Sequence, residues 1–381
     1  MINHSNHFDI AILGGGLAGL SALYHLGKAG KLAGKSVVLV DPEGRKSAHD
    51  RSWSFWEDGE GPFEALVHHR WPKVTVHNAA RNLNCDIGPY EYKLIRSTEF
   101  YTHVNAYLDT LPNVERRTAL ATEIETKGEL VTFTLGEERC SASLAFSSLP
   151  LHLRPRQIKQ PYLDQHFRGW FVETAEDTFD PSTAALMDFR TPQHGESRFC
   201  YLMPFSPRRA LVEVAIFSNE HLTTDGYDKI LANYMAAHWT SDYRVTHTEG
   251  GNIPMTSYPF PLRNGNLIYI GMRGGATRPS TGYTFYALQR QLMSMARNFP
   301  DLNGLAPWSS RHILYDATLL RILQDGKLAG DELFVDLFAS NPPARVLAFL
   351  NGETSVWQEL KLMSTTNISV FGATFVRELV K

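Results

Sequence analysis

FDIAILGGGLAGLSALYHLGKA, residues 8–29, is the stretch whose reading decides the fold. Ile10, Ala11, Ile12 and Leu13 form a short apolar run, as in a buried parallel strand. Gly14, Gly16 and Gly19 follow in the order G-x-G-x-x-G, and Leu20, Leu23 and Leu26 then recur at helical spacing. Strand, glycine turn and helix are the context that a dinucleotide fingerprint demands. In that geometry Gly14 permits the tight turn, Gly16 lets a pyrophosphate approach the backbone, and Gly19 lets the helix pack closely on the strand. The free N–H groups and positive end of the helix face the phosphates. A second strand, predicted over 36–40, ends in Asp41. This carboxylate lies about 25 residues past the central glycine, where it can accept hydrogen bonds from an adenosine ribose.

Outward from this unit, 381 residues suit two or three domains, or one nucleotide domain carrying a large insertion. A hydrophobic content of 43% is enough to bury a full core. Lys and Arg number 37 against 40 Asp and Glu, so a net charge of −3 gives nucleic-acid binding no electrostatic support. The 21 Phe, 15 Tyr and 7 Trp supply a large core and, on a sharper reading, an apolar ligand site. Cys85, Cys140 and Cys200 have neither metal nor redox spacing and read as buried, inert thiols in a reducing compartment. The histidines show no paired-ligand pattern, so no metal site is expected. The start, MINHSNHFDI, lacks the charged and apolar regions of a signal peptide. No apolar run reaches the roughly 18 residues of a transmembrane helix.

A polar loop over 42–50 leads into RSWSFW, residues 51–56. Its three aromatics either plug a domain interface or lie beside a cofactor or substrate. Strands are predicted over 73–77 and 90–94, and a helix over 98–111 with Ser97 as its N-cap. Short alternating strands over 114–147 fit an antiparallel meander inserted into a flavin-type nucleotide domain. Pro150, Pro155 and Pro161 mark an exit linker. Residues 162–220 are β-rich, with strands over 167–174, 185–189, 199–205 and 210–217, the last two joined as a hairpin. A helix follows over 225–238, and 244–255 is expected to return toward the first domain. The strand 267–270 runs into Gly271, a helix spans 283–298, and the tail 311–381 is mostly helical. The predicted class is α/β: a Rossmann-type FAD-binding domain, a β-rich substrate domain and a helical C-terminal tail. Its expected divisions are 1–155 for the first part of the FAD-binding domain, 156–244 for the substrate domain, 245–300 for the return segment and 301–381 for the helical region.

The loop GMRGGATRPSTGY, residues 271–283, sits at a strand end and opens a helix. The fingerprint requires a second half of its site, and Gly271, Gly274, Gly275, Thr281 and Gly282 read as that half; the plainer alternative is a glycine-rich connection with a proline stop. Ser280 and Thr281 are placed to cap the helix. On the flavin reading Arg51 belongs with the cofactor, and Trp53, Phe55 and Trp56 with the substrate. In the strand 210–217, alternation puts Leu211, Glu213, Ala215 and Phe217 on one face. Glu213 is then a carboxyl between apolar neighbours, either a proton donor in an apolar cavity lined by Leu211 and Phe217, or a solvent-facing acid paired with Arg208 or Arg209. Glu173, Asp188 and Glu249 are further carboxylates, and Asp188 has the strand parity to pair with Arg190.

Several segments together resemble one family, the flavin-dependent lycopene cyclases of bacterial type. They are Gly14, Gly16 and Gly19; Asp50-Arg51-Ser52-Trp53-Ser54-Phe55-Trp56; Met187-Asp188-Phe189-Arg190 with Gln193; Phe199-Cys200-Tyr201-Leu202-Met203-Pro204 running into Ala210-Leu211-Val212-Glu213; Gly251-Asn252-Ile253-Pro254-Met255; and Arg278-Pro279-Ser280-Thr281-Gly282-Tyr283. The resemblance implies closure of the ends of the linear carotene lycopene into β-rings without net redox change, giving β-carotene via γ-carotene. It implies FAD in its reduced form, NAD(P)H as electron donor, and related carotenes as partners. Glu213 matches the first glutamate of a Phe-Leu-Glu-Glu-Thr-type motif with an acid–base role; Val214 stands where many members have a second acid, and Ala215 replaces the threonine. A lipid-borne substrate implies a cytoplasmic protein peripherally associated with the inner face of the membrane. The tail segment 333–350 either docks on a bilayer or forms a helical pair packed on the core, broken at Pro342 and Pro343. Rival readings are a flavin monooxygenase or isoprenoid reductase of the same fold, or a non-catalytic carotenoid-binding flavoprotein. A flavin hydroxylase usually carries Gly-Asp after the late strand, where this chain has Gly271-Met272.

Overall fold

Alternate side chains of the strand His7–Leu13 enter two different cores. Ile10 and Ile12 join one, Ala11 and Leu13 the other, and all four are buried. Val37–Asp41 repeats the division, with Val37 and Leu39 on one side and Val38 and Val40 on the other. Burial on both faces is what a central parallel strand requires. The structure, a computed structural model, describes residues 6–46, 51–151 and 153–380; Asp50 and residues 47–49 of the polar loop lie outside the described residues.

The first sheet runs Arg263–Asn264, Leu267–Tyr269, Glu138–Ser147, His7–Leu13, Val37–Asp41, Val114–Thr118, and the last five of these pair in parallel. Helices Leu17–Lys28, Ser97–Leu108 and Phe285–Asn298 pack on the side of Ile10 and Ile12. An antiparallel meander, Ala121–Lys127 and Leu130–Leu135, folds back from Glu138–Ser147 and covers the other side. This is a Rossmann-type nucleotide domain with the expected inserted meander.

The second sheet has seven strands, in the order Tyr243–Thr256, Tyr162–Thr174, Arg209–Ser218, Ser197–Ser206, Thr183–Asp188, Lys73–His77, Asn82–Asp86. Helix Thr224–His238 covers one face through Tyr227, Leu231, Tyr234 and Met235. The opposite face, with Phe199, Tyr201, Leu211, Ala215 and Phe217, meets C-terminal helices through Phe334, Val335, Phe338, Leu347 and Leu362. Sequence order and sheet membership diverge in two places. Lys73–His77 and Asn82–Asp86, early in the chain, close one edge of this sheet. Tyr243–Thr256 forms the other edge, aligned with Tyr162–Thr174 from Tyr162 opposite Thr256 to Thr174 opposite Tyr243. The expected return to the first domain at 244 is therefore corrected: this strand's largely exposed, polar composition is that of a sheet edge and had masked it.

A third sheet, Ser52–Asp58, Tyr90–Arg96 and His69–Trp71, is wedged between the two cores. RSWSFW is thus mostly strand rather than loop. Trp53 and Phe55 pack with Phe100 and Phe285 in the nucleotide-domain core, whereas Trp56 packs with Tyr92 on the other side. The tail forms helices Ser310–Gln324, Gly330–Ser340, Pro343–Leu350, Val356–Met363 and Ile368–Leu379. Among the described residues no single helix is long and apolar enough to cross a membrane. Gly330–Ser340 and Pro343–Leu350 pass that test only together, across a 119° bend. They bury Phe334, Val335, Phe338, Val346 and Leu347 in the core, so the segment 333–350 adopts the packed-pair arrangement.

Candidate functional site

The three fingerprint glycines differ in what a side chain would meet. Gly14 has φ +109°, and a Cβ there would lie 2.4 Å from Ser148 Oγ; at Gly19 it would lie 1.9 Å from the Gly14 carbonyl oxygen. Both are fixed by the protein's own packing. At Gly16 a Cβ would meet nothing within 4 Å. The open side of the turn is therefore the one in front of helix Leu17–Lys28, where the helix N–H groups favour an anion. Asp41 accepts hydrogen bonds from the backbone N–H of Gly15 (2.7 Å) and Glu43 (2.9 Å). Each oxygen keeps a lone pair for a ribose hydroxyl.

The late glycine loop reaches this cradle. Gly271 has φ +68°, and a Cβ on it would come within 2.8 Å of Ala18 Cβ, in the first turn of the fingerprint helix. Gly274 presses on the Tyr269 carbonyl, 2.3 Å from where its Cβ would be, and Gly275 has φ +73°. Gly282 faces Gln165 of the second sheet instead. Ser280 and Thr281 do not cap the following helix. That helix starts at Phe285 behind Thr284, Ser280 donates to Asp316 Oδ1 at 2.8 Å, and Thr281 lines an apolar cavity. Arg278 clamps the loop to the tail: it is fully buried, lies 2.6 Å from Asp316 and stands 4.7 Å over the Trp308 ring.

Glu213 lies on the predicted face of Arg209–Ser218, with Leu211, Ala215 and Phe217. Its cross-strand neighbours are Tyr201 on one side and Gly169 on the other. Gly169 in turn lies opposite Glu249. One row across three strands therefore reads Glu213, Gly169, Glu249. A Cβ at Gly169 would lie 3.2 Å from Glu213 Oε2 and 3.2 Å from Glu249 Cγ, so the missing side chain leaves both acids facing one gap. Glu213 retains some accessible surface although protein surrounds it closely, which sets it against an internal space. Burial first, and then the neighbouring Glu249 charge, push its carboxyl well above the ordinary range. Burial pushes Glu249 up to about 7, while its hydrogen bond from Ser52 Oγ (3.1 Å) and the Arg51 and Arg96 charges hold it down. Of the two, Glu213 is pushed toward its neutral form by burial, whereas the partners of Glu249 favour its anion.

An apolar cavity of about 430 Å³ is lined by Trp56, Tyr201, Phe217, Tyr283, Phe334 and Phe338 among others; it meets the row through Tyr201, the neighbour of Glu213, and none of the row's three residues lines it. Tyr283 donates or accepts across 3.1 Å to Tyr92, and Trp56 stands edge-on to Tyr283 at 4.5 Å. Burial holds Tyr201 and Tyr283 well above the usual phenol range, so both stay neutral. Of the aromatic candidates, Trp56 and Phe217 line the cavity. Trp53 and Phe55 point to the other face of their strand, and Leu211 is sealed in the core against Gly169. Arg51 lies beside Glu249, and the segment's serines share the Trp56 parity, Ser52 meeting Glu249 and Ser54 meeting Met203. Asp188 and Arg190 pair at 2.6 Å, with Tyr234 donating to Asp188. Among the described residues no group of His, Cys, Asp and Glu is placed to hold a metal ion. The sequence named Glu249, Ser52 and Tyr201 without placing them beside Glu213, and it did not bring forward Gly169 or Tyr92. A glycine inside a strand, which often marks a close approach, was the available signal.

An arrangement of this kind can deliver a proton into a dry, aromatic-walled space. Over 306 residues the chain is 25% identical to a lycopene beta cyclase, chloroplastic/chromoplastic, of Capsicum annuum, covering 72% of this chain and 57% of that protein. The chain therefore spans little more than half the length of such plant relatives. It is 24% identical over 300 residues to a lycopene beta-cyclase of Pantoea ananas, covering 73% of this chain and 71% of that one. Its fold is similar to that of a geranylgeranyl bacteriochlorophyll reductase-like protein from Thermoplasma acidophilum, with a TM-score of 0.66 at 12% identity over 97% of this chain and 98% of the other. Residues 9–374 match the family described as lycopene cyclase protein, and the chain belongs to that family.

Proposed function

We propose that this protein is a lycopene β-cyclase that closes the linear ends of lycopene into β-rings, to β-carotene via γ-carotene, with reduced FAD bound and NAD(P)H as the electron source. The observation that carries the reading is Glu213, a carboxyl pushed toward its neutral form by burial and lying opposite Tyr201, which lines an aromatic-walled apolar cavity. The fingerprint fits FAD: Gly16 leaves room for the pyrophosphate, Asp41 keeps acceptors for the ribose, and Gly271 brings the late loop against the same helix. When bound, the reduced cofactor supplies negative charge and no net electrons.

Glu213 gives its proton to the terminal alkene, leaving a tertiary carbocation. The neighbouring double bond attacks that cation and closes a six-membered ring, and loss of a ring proton completes the β-end. The cationic intermediates are stabilised by the carboxylate left on Glu213 and by the faces of Trp56, Tyr201 and Tyr283. Apolar walls exclude water, which would otherwise trap the cation as an alcohol. On this reading the protein works from the cytoplasm at the inner face of the membrane, where lycopene and related carotenes reside. The exposed apolar side chains of its last two helices support such docking: Trp357 is 82% and Ile368 66% accessible.

The test is anaerobic conversion of lycopene in vesicles by the FAD-loaded protein, with pigment chromatography and product mass. Cyclisation leaves the mass of lycopene unchanged, whereas oxygenation or reduction would raise it. Glu213→Gln is expected to keep its FAD and to lose about 10²–10⁴-fold in rate. Full activity in that variant removes Glu213 from the acid–base role.

A further inference from the structure

We infer that Glu249 is a second catalytic carboxyl, the base that takes the ring proton, and that Gly169 is the gap through which it works with Glu213. This rests on the cyclase reading above.

The edge strand Tyr243–Thr256 supplies the first argument. Across residues 244–252 every side chain is exposed except one, and the exception is the carboxylate of Glu249. A buried carboxylate is costly unless paired, and Glu249 is turned inward onto Ser52 and toward the Arg51 and Arg96 charges. It is also turned toward another acid. Glu213 and Glu249 occupy the same row, and the strand between them carries Gly169, so that strand places no side chain between them; the same point is flanked by Leu211 Cδ1. Adding a methyl group there would bring it to 3.2 Å from each.

The surroundings divide the roles. Glu213 sits between Leu211 and Ala215, opposite Tyr201, where the protonated form is favoured. Glu249 accepts a hydrogen bond from Ser52 and is faced by Arg51 and Arg96, groups that favour the anion. Two carboxyls whose environments push them apart are the usual arrangement for an acid and a base. The chain's Val214, in the place of a second acid next to Glu213, then leaves no gap in the chemistry, because the second acid arrives from another strand.

The step balances. The Glu213 O–H proton forms a C–H bond at the terminal alkene, and the neighbouring π pair forms the ring C–C bond. A C–H bond adjacent to the ring cation breaks, its electron pair becomes the ring double bond, and the proton goes to Glu249. Transfer from Glu249 to Glu213 across the Gly169 gap resets the pair. No electrons are gained or lost.

The test uses the FAD-loaded full chain with lycopene in phosphatidylcholine vesicles, comparing the wild type with Glu249→Gln and Glu249→Asp. Wild-type cyclisation is expected to fall off below about pH 7, where Glu249 takes up a proton. Glu249→Gln should retain FAD and lycopene, lose about 100-fold or more in rate, and show no acidic limb in what remains. Glu249→Asp, with its carboxyl restored one methylene short, should recover at least about tenfold over Glu249→Gln and regain the limb. A Glu249→Gln rate within about threefold of wild type, a residual rate that still falls below pH 7, or an aspartate variant no better than the glutamine one overturns the inference. Failure of the wild type to make rings, or full activity of Glu213→Gln, would instead overturn the cyclase reading itself.

Discussion

A buried carboxyl is held in its neutral form until something nearby favours the anion, and in this site two residues sit on either side of that balance. Glu249 has a folded-state value of about 7 against an ordinary 4.5. The folded protein therefore holds that proton more tightly than the unfolded chain. The stability this contributes is complete below about pH 4.5 and is lost as pH rises through about 7. Thermal or urea melts of wild type and Glu249→Gln should accordingly diverge over that window, with the wild type losing about 3 kcal/mol relative to the variant by pH 8. Parallel stability curves would show that Glu249 is not strained by its burial. At Arg278 the logic runs the other way, because its burial is tolerated only beside Asp316. Asp316→Ala should cost about 3–5 kcal/mol in denaturant unfolding, since it leaves a guanidinium buried without its counter-charge.

Among elements, the fingerprint helix and the strand Ser52–Asp58 show how one residue step changes a role. Gly16 and Gly19 belong to the same motif, but only Gly19 is pressed against protein, by the Gly14 carbonyl. Gly16→Val should keep the fold and the melting temperature of the flavin-free protein while losing flavin, read from the bound-flavin absorbance of the purified protein. Gly19→Val should instead lower stability by several degrees in the same melt, as overpacking of a strand–helix contact does. Equal behaviour of the two variants would contradict the division between packing and cofactor cradle. In Ser52–Asp58 the period of two sends Ser52, Ser54 and Trp56 to the side of the second sheet and Trp53 and Phe55 to the nucleotide-domain core. The aromatic cluster was legible in the sequence, but its division required knowing that the segment is a strand with a core on each face.

At the scale of the whole molecule, the tail completes the cavity and exposes the surface beyond it. Helices Gly330–Ser340 and Pro343–Leu350 spend their apolar side chains on the core, so under the proposed membrane association the docking surface is Val356–Met363 and Ile368–Leu379. Leu360, Ile368 and Phe371 line the same cavity as Trp56 and Tyr201, which places the exposed apolar rim at its mouth. Trp357→Glu combined with Ile368→Glu should reduce co-sedimentation with anionic vesicles about tenfold or more, through lost apolar burial. The melting temperature should stay unchanged, since both side chains are exposed. Undiminished vesicle binding would move the docking surface elsewhere.

The sequence by itself determined the nucleotide domain, because strand, glycine turn and helix are local features whose residues lie next to one another in the chain. It likewise determined the face on which Glu213 stands, since alternation along one strand needs no other strand. Only the tertiary structure decided what Glu213 stands beside. Glu249, Gly169 and Ser52 come from three other strands of two sheets, and strand register, set by the packing of whole faces, carries no signature in any one of those segments. The same holds for Gly271: its place against Ala18 is fixed by parallel strands brought together from opposite ends of the chain.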